Sequence, residues 1–182
     1  DRTPKDSADQ VEYFNGSVDT PTGALRAKNG HPEPYGVKYW QPGNETWGEE
    51  YWDKLASHCD AMRKVDPGIE LLSAGPSETL LQKAGPSIDY IAPHYYNCVD
   101  LAGVQTDIDH WKQQIRALAP GRTVRMAVTE WNTTASDWGL ARAKLWTLEN
   151  ALAVARFHNL MHRNADMVVI SNRSNLANSF CS

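Results

Sequence analysis

The chain has 182 residues, of which 41% are hydrophobic and 22% charged, with a net charge of −4. Its 7 Trp and 7 Tyr set it apart from a disordered segment, and the apolar fraction suffices for a folded core. An acidic balance argues against a nucleic-acid partner, and apolar runs of only a few residues argue against a membrane span.

Residues 1–36 are polar and turn-rich. Ser7 to Phe14 reads as the end of a helix, and Gly16 to Pro34 as a long loop. Val37 to Trp40 is short, β-branched and aromatic, which predicts a strand. Glu50 to Val65 carries Leu55, Met62 and Val65 at helical spacing and stops at Asp66-Pro67-Gly68. Ile69 to Ala74 is the next predicted strand, and Ser77 to Ala84 a short helix capped by Ser77. Ile88 to Tyr95 is a third strand, Asp107 to Ala119 a helix and Thr123 to Thr129 a fourth strand. A long amphipathic helix follows over Ala141 to Arg163, with Leu145, Leu148, Leu152, Ala155 and Leu160 as its core positions. Asp166 to Ile170 is a fifth strand.

Such alternation implies a parallel sheet with right-handed crossovers, either doubly wound or closed as a (β/α)8 barrel. No glycine-rich phosphate loop follows a strand, which weakens a nucleotide-binding reading. Three cysteines without a Cys-x-x-Cys pair are best read as small buried side chains, with a bridge from Cys181 to Cys59 or to Cys98 left open. His158 and His162 are four apart on the predicted long helix. Without an adjacent glutamate they read as surface histidines rather than metal ligands. Glu49 and Glu50 read as helix N-terminal charge. Asn15, Asn44, Asn132 and Asn172 each open an Asn-x-Ser/Thr triplet, a weak pattern for glycosylation.

In parallel α/β folds, chemistry sits just beyond the carboxyl ends of the strands. Four such ends are rich in polar and aromatic groups: Gln41 to Trp47, Ala92 to Asn97, Thr129 to Asn132 and Ser171 to Asn175. Two of them present a glutamate, Glu45 and Glu130. A pair of carboxyls on one rim is what glycoside hydrolysis requires. One protonates the leaving oxygen and the other attacks the anomeric carbon or activates water.

These residues carry a resemblance. Gly43-Asn44-Glu45 after one strand, with Thr129-Glu130-Trp131-Asn132 three strands later, is similar to the clan of (β/α)8 retaining glycosidases. Val11 to Gly16, Leu25 to Tyr35 and Val37 to Glu45 track the α-L-arabinofuranosidases of glycoside hydrolase family 51 more closely, as do Ile88 to Tyr96 and Ala165 to Asn178. The resemblance implies Glu45 as general acid/base and Glu130 as nucleophile. Asn44 would contact the sugar 2-hydroxyl, Tyr96 would donate to Glu130, and His94 would line the same subsite. Asn175 would contact substrate, and Trp47, Trp131 and Trp138 could offer ring faces to sugars or pack the barrel. Two departures stand out: Gln41-Pro42 before Gly43, and Thr134 where many relatives place a tryptophan.

The implied substrate is an arabinose-containing oligo- or polysaccharide of plant origin, with no metal and no organic cofactor. An endo-glucanase or endo-xylanase on the same scaffold, or a non-catalytic carbohydrate-binding fragment, are the alternatives. Homo-oligomer formation stays open. A (β/α)8 barrel takes about 250 residues. The five predicted strands match the fourth to the eighth of the resembled fold, so residues 1–182 are expected to form a partial catalytic domain. The first three strands would then come from the same or a separate chain.

Overall fold

The computed structural model describes residues 2–121, 123–133 and 146–173. The chain forms two compact units, one of Asp1–Ile91 with Gly121–Val124, the other of Ala92–Pro120 with Arg125–Ser182.

The first unit opens with helix α1 (Pro4–Asn15), whose start is fixed by a capping box. The Thr3 backbone N–H donates to Asp6 Oδ2 at 2.7 Å, and the Asp6 N–H donates back to Thr3 Oγ1 at 3.3 Å. Part of the predicted loop over Gly16 to Pro34 is in fact a second helix, α2 (Pro21–Lys28), capped by Thr20 with Pro21 in its first turn. The loop after α2 is held by Arg26, which is fully buried. Its guanidinium donates to three backbone carbonyls: His31 at 2.9 Å, Tyr13 at 2.8 Å and Pro32 at 2.9 Å.

Strand β1 (Tyr39–Trp40) leads into helix α3 (Glu49–Val65), whose first turn carries Glu49 and Glu50. Strand β2 (Glu70–Leu71), helix α4 (Glu78–Ala84) and strand β3 (Tyr90–Ile91) complete this unit. β1 and β2 pair in parallel, and Leu72 bridges to Tyr90 in parallel beside them. Val11 of α1, Leu55 and Cys59 of α3, and Leu80 and Leu81 of α4 are buried to within 1%. Across the same packing, Ser7 of α1 hydrogen-bonds His58 Nδ1 of α3 at 2.8 Å.

The predicted strand over Ile88 to Tyr95 is two short ones, β3 and then β4 (His94–Tyr95), interrupted at Ala92-Pro93. Proline has no N–H to give a ladder, so the run cannot continue through it. In the second unit, helix α5 (Leu101–Leu118) starts six residues before the predicted position. Asp100 caps it by accepting the Gly103 N–H at 2.9 Å. Strand β5 (Arg125–Trp131) pairs in parallel with β4 and with β6 (Val168–Arg173).

Helix α6 (Leu148–Arg163) begins at its Thr147 cap rather than at residue 141, and residues 141–145 lie outside the described residues. Phe157, Leu160 and Met161 form its core face. Leu148 and Leu152, predicted as core, are 76% and 56% exposed, and Ala155 is exposed too. The apolar stripe is real, but only its C-terminal half meets the sheet. Asn164 beyond it is buried and joins α6 to α5. It exchanges hydrogen bonds with Gln105 at 2.8 and 3.2 Å and accepts from Lys112 at 3.0 Å. Among the described residues no helix is long and apolar enough to cross a membrane.

Two of the glycosylation triplets are built into this framework. The Asn15 side chain donates to the Val37 carbonyl at 2.8 Å and accepts from the Val37 N–H at 2.7 Å. Asn132 is fully buried. Cys59 and Cys98 are free, buried thiols, and Cys181 lies outside the described residues. Burial pushes the Cys59 thiol up to about 12 and that of Cys98 up to about 11.

Candidate active site

In the first unit, Glu45 lies on the loop between β1 and α3 and is exposed. Three residues of positive φ shape this loop: Gly43 at 104°, Glu45 itself at 45° and Gly48 at 104°, just before α3. A Cβ at Gly43 would also be crowded, at 3.2 Å from the Tyr51 ring and 3.3 Å from Ala74 Cβ. Glu45 lacks the conformational freedom of the two glycines. A glutamate in this region is strained, and the surroundings must hold it there.

A chain of hydrogen bonds does so. The Glu45 N–H donates to the Ala74 carbonyl at 3.1 Å. The Ala74 N–H donates to the Tyr51 hydroxyl at 2.8 Å, which donates in turn to the Pro42 carbonyl at 3.0 Å. Burial raises the Tyr51 hydroxyl well above the ordinary phenol range, so it stays a donor. Asn44 is exposed, and its carbonyl accepts from the Thr46 hydroxyl at 3.0 Å. Trp47 is 56% exposed and lies against Gly75, where a Cβ would fall 2.1 Å from the indole. A cavity of about 500 Å³ beside this loop is lined by Trp40, Pro42, Trp47 and Tyr51 among others.

In the second unit, parallel pairing sets His94 of β4 beside Glu130 of β5. The Tyr96 hydroxyl donates to Glu130 Oε2. His94 Nδ1 lies 4.0 Å from the same oxygen, and His94 Nε2 is 3.0 Å from Thr129 Oγ1. His94 and Tyr96 also line a pocket of about 250 Å³ with Asn97.

Thr129 and Glu130 are consecutive, and in a regular strand they would point to opposite faces. β5 is not regular here. It advances from Val128 to Trp131 while β6 advances only from Ser171 to Arg173, so β5 carries one residue more. The bulge leaves Thr129 and Glu130 both part-exposed between the buried Val128 and Trp131. Both side chains consequently reach His94. Glu130 therefore lies within the strand, where the sequence places it just after.

Trp131 does not offer a face to a ligand. It is fully buried, with its ring 4.6 Å from Phe157 and edge-on to His158 at 4.8 Å. The bulge returns it to the core side. His158 and His162 stand 6.4 Å apart by ring centroids on α6, with His158 committed to that packing. Trp138, Thr134 and Asn175 lie outside the described residues. Two residues escaped sequence reasoning. Thr129 had no signal of its own, because its contact with His94 depends on the bulge. Tyr51 had no local signal, since its partners Pro42 and Ala74 come from two separate loops.

Residues 1–116 match the family model described as alpha-L-arabinofuranosidase 1 domain. A probable alpha-L-arabinofuranosidase C of Aspergillus fumigatus is 29% identical over 85% of this chain and 40% of its own length. An alpha-L-arabinofuranosidase from Thermotoga maritima, solved as an arabinose complex, superposes with a TM-score of 0.88 at 27% identity, over 99% of this chain and 42% of that one. The GH51 alpha-L-arabinofuranosidase from Thermotoga petrophila gives the same TM-score, identity and coverage. The chain thus spans about two-fifths of the length of these relatives. It belongs to the alpha-L-arabinofuranosidases of glycoside hydrolase family 51 and has the fold of part of that family's (β/α)8 barrel.

Proposed function

We propose that the protein is a retaining α-L-arabinofuranosidase acting on arabinose-containing oligo- or polysaccharide, with Glu130 as nucleophile and Glu45 as acid/base. In the first step Glu130 would attack the anomeric carbon, forming an ester as the glycosidic bond breaks. Glu45 would deliver its proton to the leaving oxygen. In the second step water would attack the same carbon, giving its proton to Glu45 and freeing the Glu130 carboxylate. Asn44 would bind the sugar 2-hydroxyl, and the exposed ring of Trp47 would stack on sugar.

The observation that carries this reading is the Tyr96 hydrogen bond to Glu130 Oε2, with His94 beside the same oxygen. A carboxylate pinned through one oxygen keeps one orientation, which is what attack along a fixed line demands. Support for Glu45 comes from its left-handed backbone, since strain of this kind gathers at functional sites. The arabinose bound to the Thermotoga maritima relative supports the choice of sugar.

The test uses an aryl α-L-arabinofuranoside, with soluble β-glucan and xylan as alternative substrates. Glu130→Ala is expected to lower turnover on the order of 10³-fold or more, and added azide should restore it by forming the glycosyl azide of opposite anomeric configuration. Unchanged turnover in Glu130→Ala would overturn the mechanism. Cleavage of the glucan or xylan in preference to the arabinofuranoside would overturn the substrate.

A further inference from the structure

We propose that Thr129 is a positioning residue that sets the protonation of His94. Its hydroxyl donates to Nε2, so the neutral ring carries its proton on Nδ1, facing Glu130 Oε2. The role assigned to Glu130 rests on the function proposed above; the arrangement of protons does not.

The argument begins with the bulge in β5, which turns Thr129 and Glu130 toward the same neighbour. His94 then meets one of them at each ring nitrogen: Thr129 Oγ1 at 3.0 Å from Nε2, and Glu130 Oε2 at 4.0 Å from Nδ1. In a neutral imidazole one nitrogen donates and the other accepts, and the partner of one decides the state of the other. If Nε2 carried the proton, the Nδ1 lone pair would face an anionic oxygen. Placing the proton on Nδ1 turns that repulsion into attraction. Nε2 then needs a donor, and a threonine hydroxyl can rotate to supply one. The His94 side chain is only 10% exposed, so water cannot readily substitute.

The division of labour between the two carboxylate oxygens follows. Oε2 receives the Tyr96 hydroxyl and faces the His94 Nδ1–H. Oε1 is then the oxygen that attacks. Thr129 touches neither Glu130 nor sugar in this scheme; it acts through His94.

Long-range proton–nitrogen correlation on protein labelled with ¹⁵N-histidine reads the tautomer, with His94 assigned by its loss in His94→Gln. The wild-type ring is expected to show a protonated Nδ1 and a bare Nε2. Thr129→Val keeps the shape and removes the donor. It should mix the tautomers and lower kcat about tenfold with KM little changed, as loss of one hydrogen bond near a charge implies. Thr129→Ser keeps the hydroxyl and should restore both signals to within about threefold of wild type in kcat. A wild-type His94 protonated on Nε2, or on both nitrogens, overturns the proposal. So does a Thr129→Val protein whose tautomer and kcat match wild type. Failure of the nucleophile reading shows elsewhere, as turnover retained in Glu130→Ala.

Discussion

The Tyr96 hydroxyl donates a hydrogen bond to Oε2 of Glu130 across 34 residues of sequence. Parallel pairing of β4 and β5 brings the two segments side by side, with His94 in register with Glu130. Removing the hydroxyl leaves the ring packing and takes away one donor to a charged group. Tyr96→Phe should therefore cost about 1.5–3 kcal/mol in the transition state, or roughly 10- to 100-fold in kcat, with little change in melting temperature. Steady-state kinetics beside a thermal melt separate the two effects.

Glu45 carries a conformational cost that its neighbours sustain. Glycine adopts a φ of 45° without that cost. Glu45→Gly should melt above Glu45→Gln, by about 1 kcal/mol in stability, while both lose hydrolytic activity. Equal melting of the two variants would show that the loop is relaxed.

Arg26 is buried with carbonyl partners from three different residues. Arg26→Met would fill the volume and leave those carbonyls without their donor. The expected loss is about 3 kcal/mol or more. Arg26→Lys should recover only part of it, because one ammonium cannot copy the geometry of a planar fork. Urea midpoints compared at equal m value give the answer.

His58 links α3 to α1 through Ser7, and burial holds its imidazole below the ordinary histidine value. The unfolded chain therefore takes up a proton more readily than the folded one. Stability is full above about pH 6.5 and declines as pH falls through that value toward the lower folded one. His58→Gln should flatten this part of the stability profile. Denaturation midpoints between pH 7 and pH 5 for the two proteins check it.

Much of the α/β alternation was legible because its signals are local. Leu55 and Met62 mark a helix face, Ser77 caps a helix, and Asp66-Pro67-Gly68 ends one. The Thr20-Pro21 start of α2 was equally local, but Gly23 and polar neighbours masked it. The site was legible only as a set of strand ends. Inspecting them brought Glu45 and Glu130 forward, and the family resemblance added His94 and Tyr96. Which of its two readings Trp131 takes, and the contact of Thr129 with His94, were not legible. Both depend on a residue count against β6, which has no counterpart in the local pattern of β5. The exposure of Leu148 and Leu152 was hidden for a related reason: periodicity identifies a stripe, not how much of it finds a partner.

The extra residue in β5 also sets which changes this stretch can absorb. Substitutions at Thr129 or Glu130 alter chemistry at a fixed address. A single deletion between Val128 and Trp131 would instead remove Thr129 or Glu130 outright, cancel the bulge and leave His94 with one of its two neighbours on this strand. Drift in this part of the chain is therefore confined to residue type, whereas loop segments elsewhere can also vary in length.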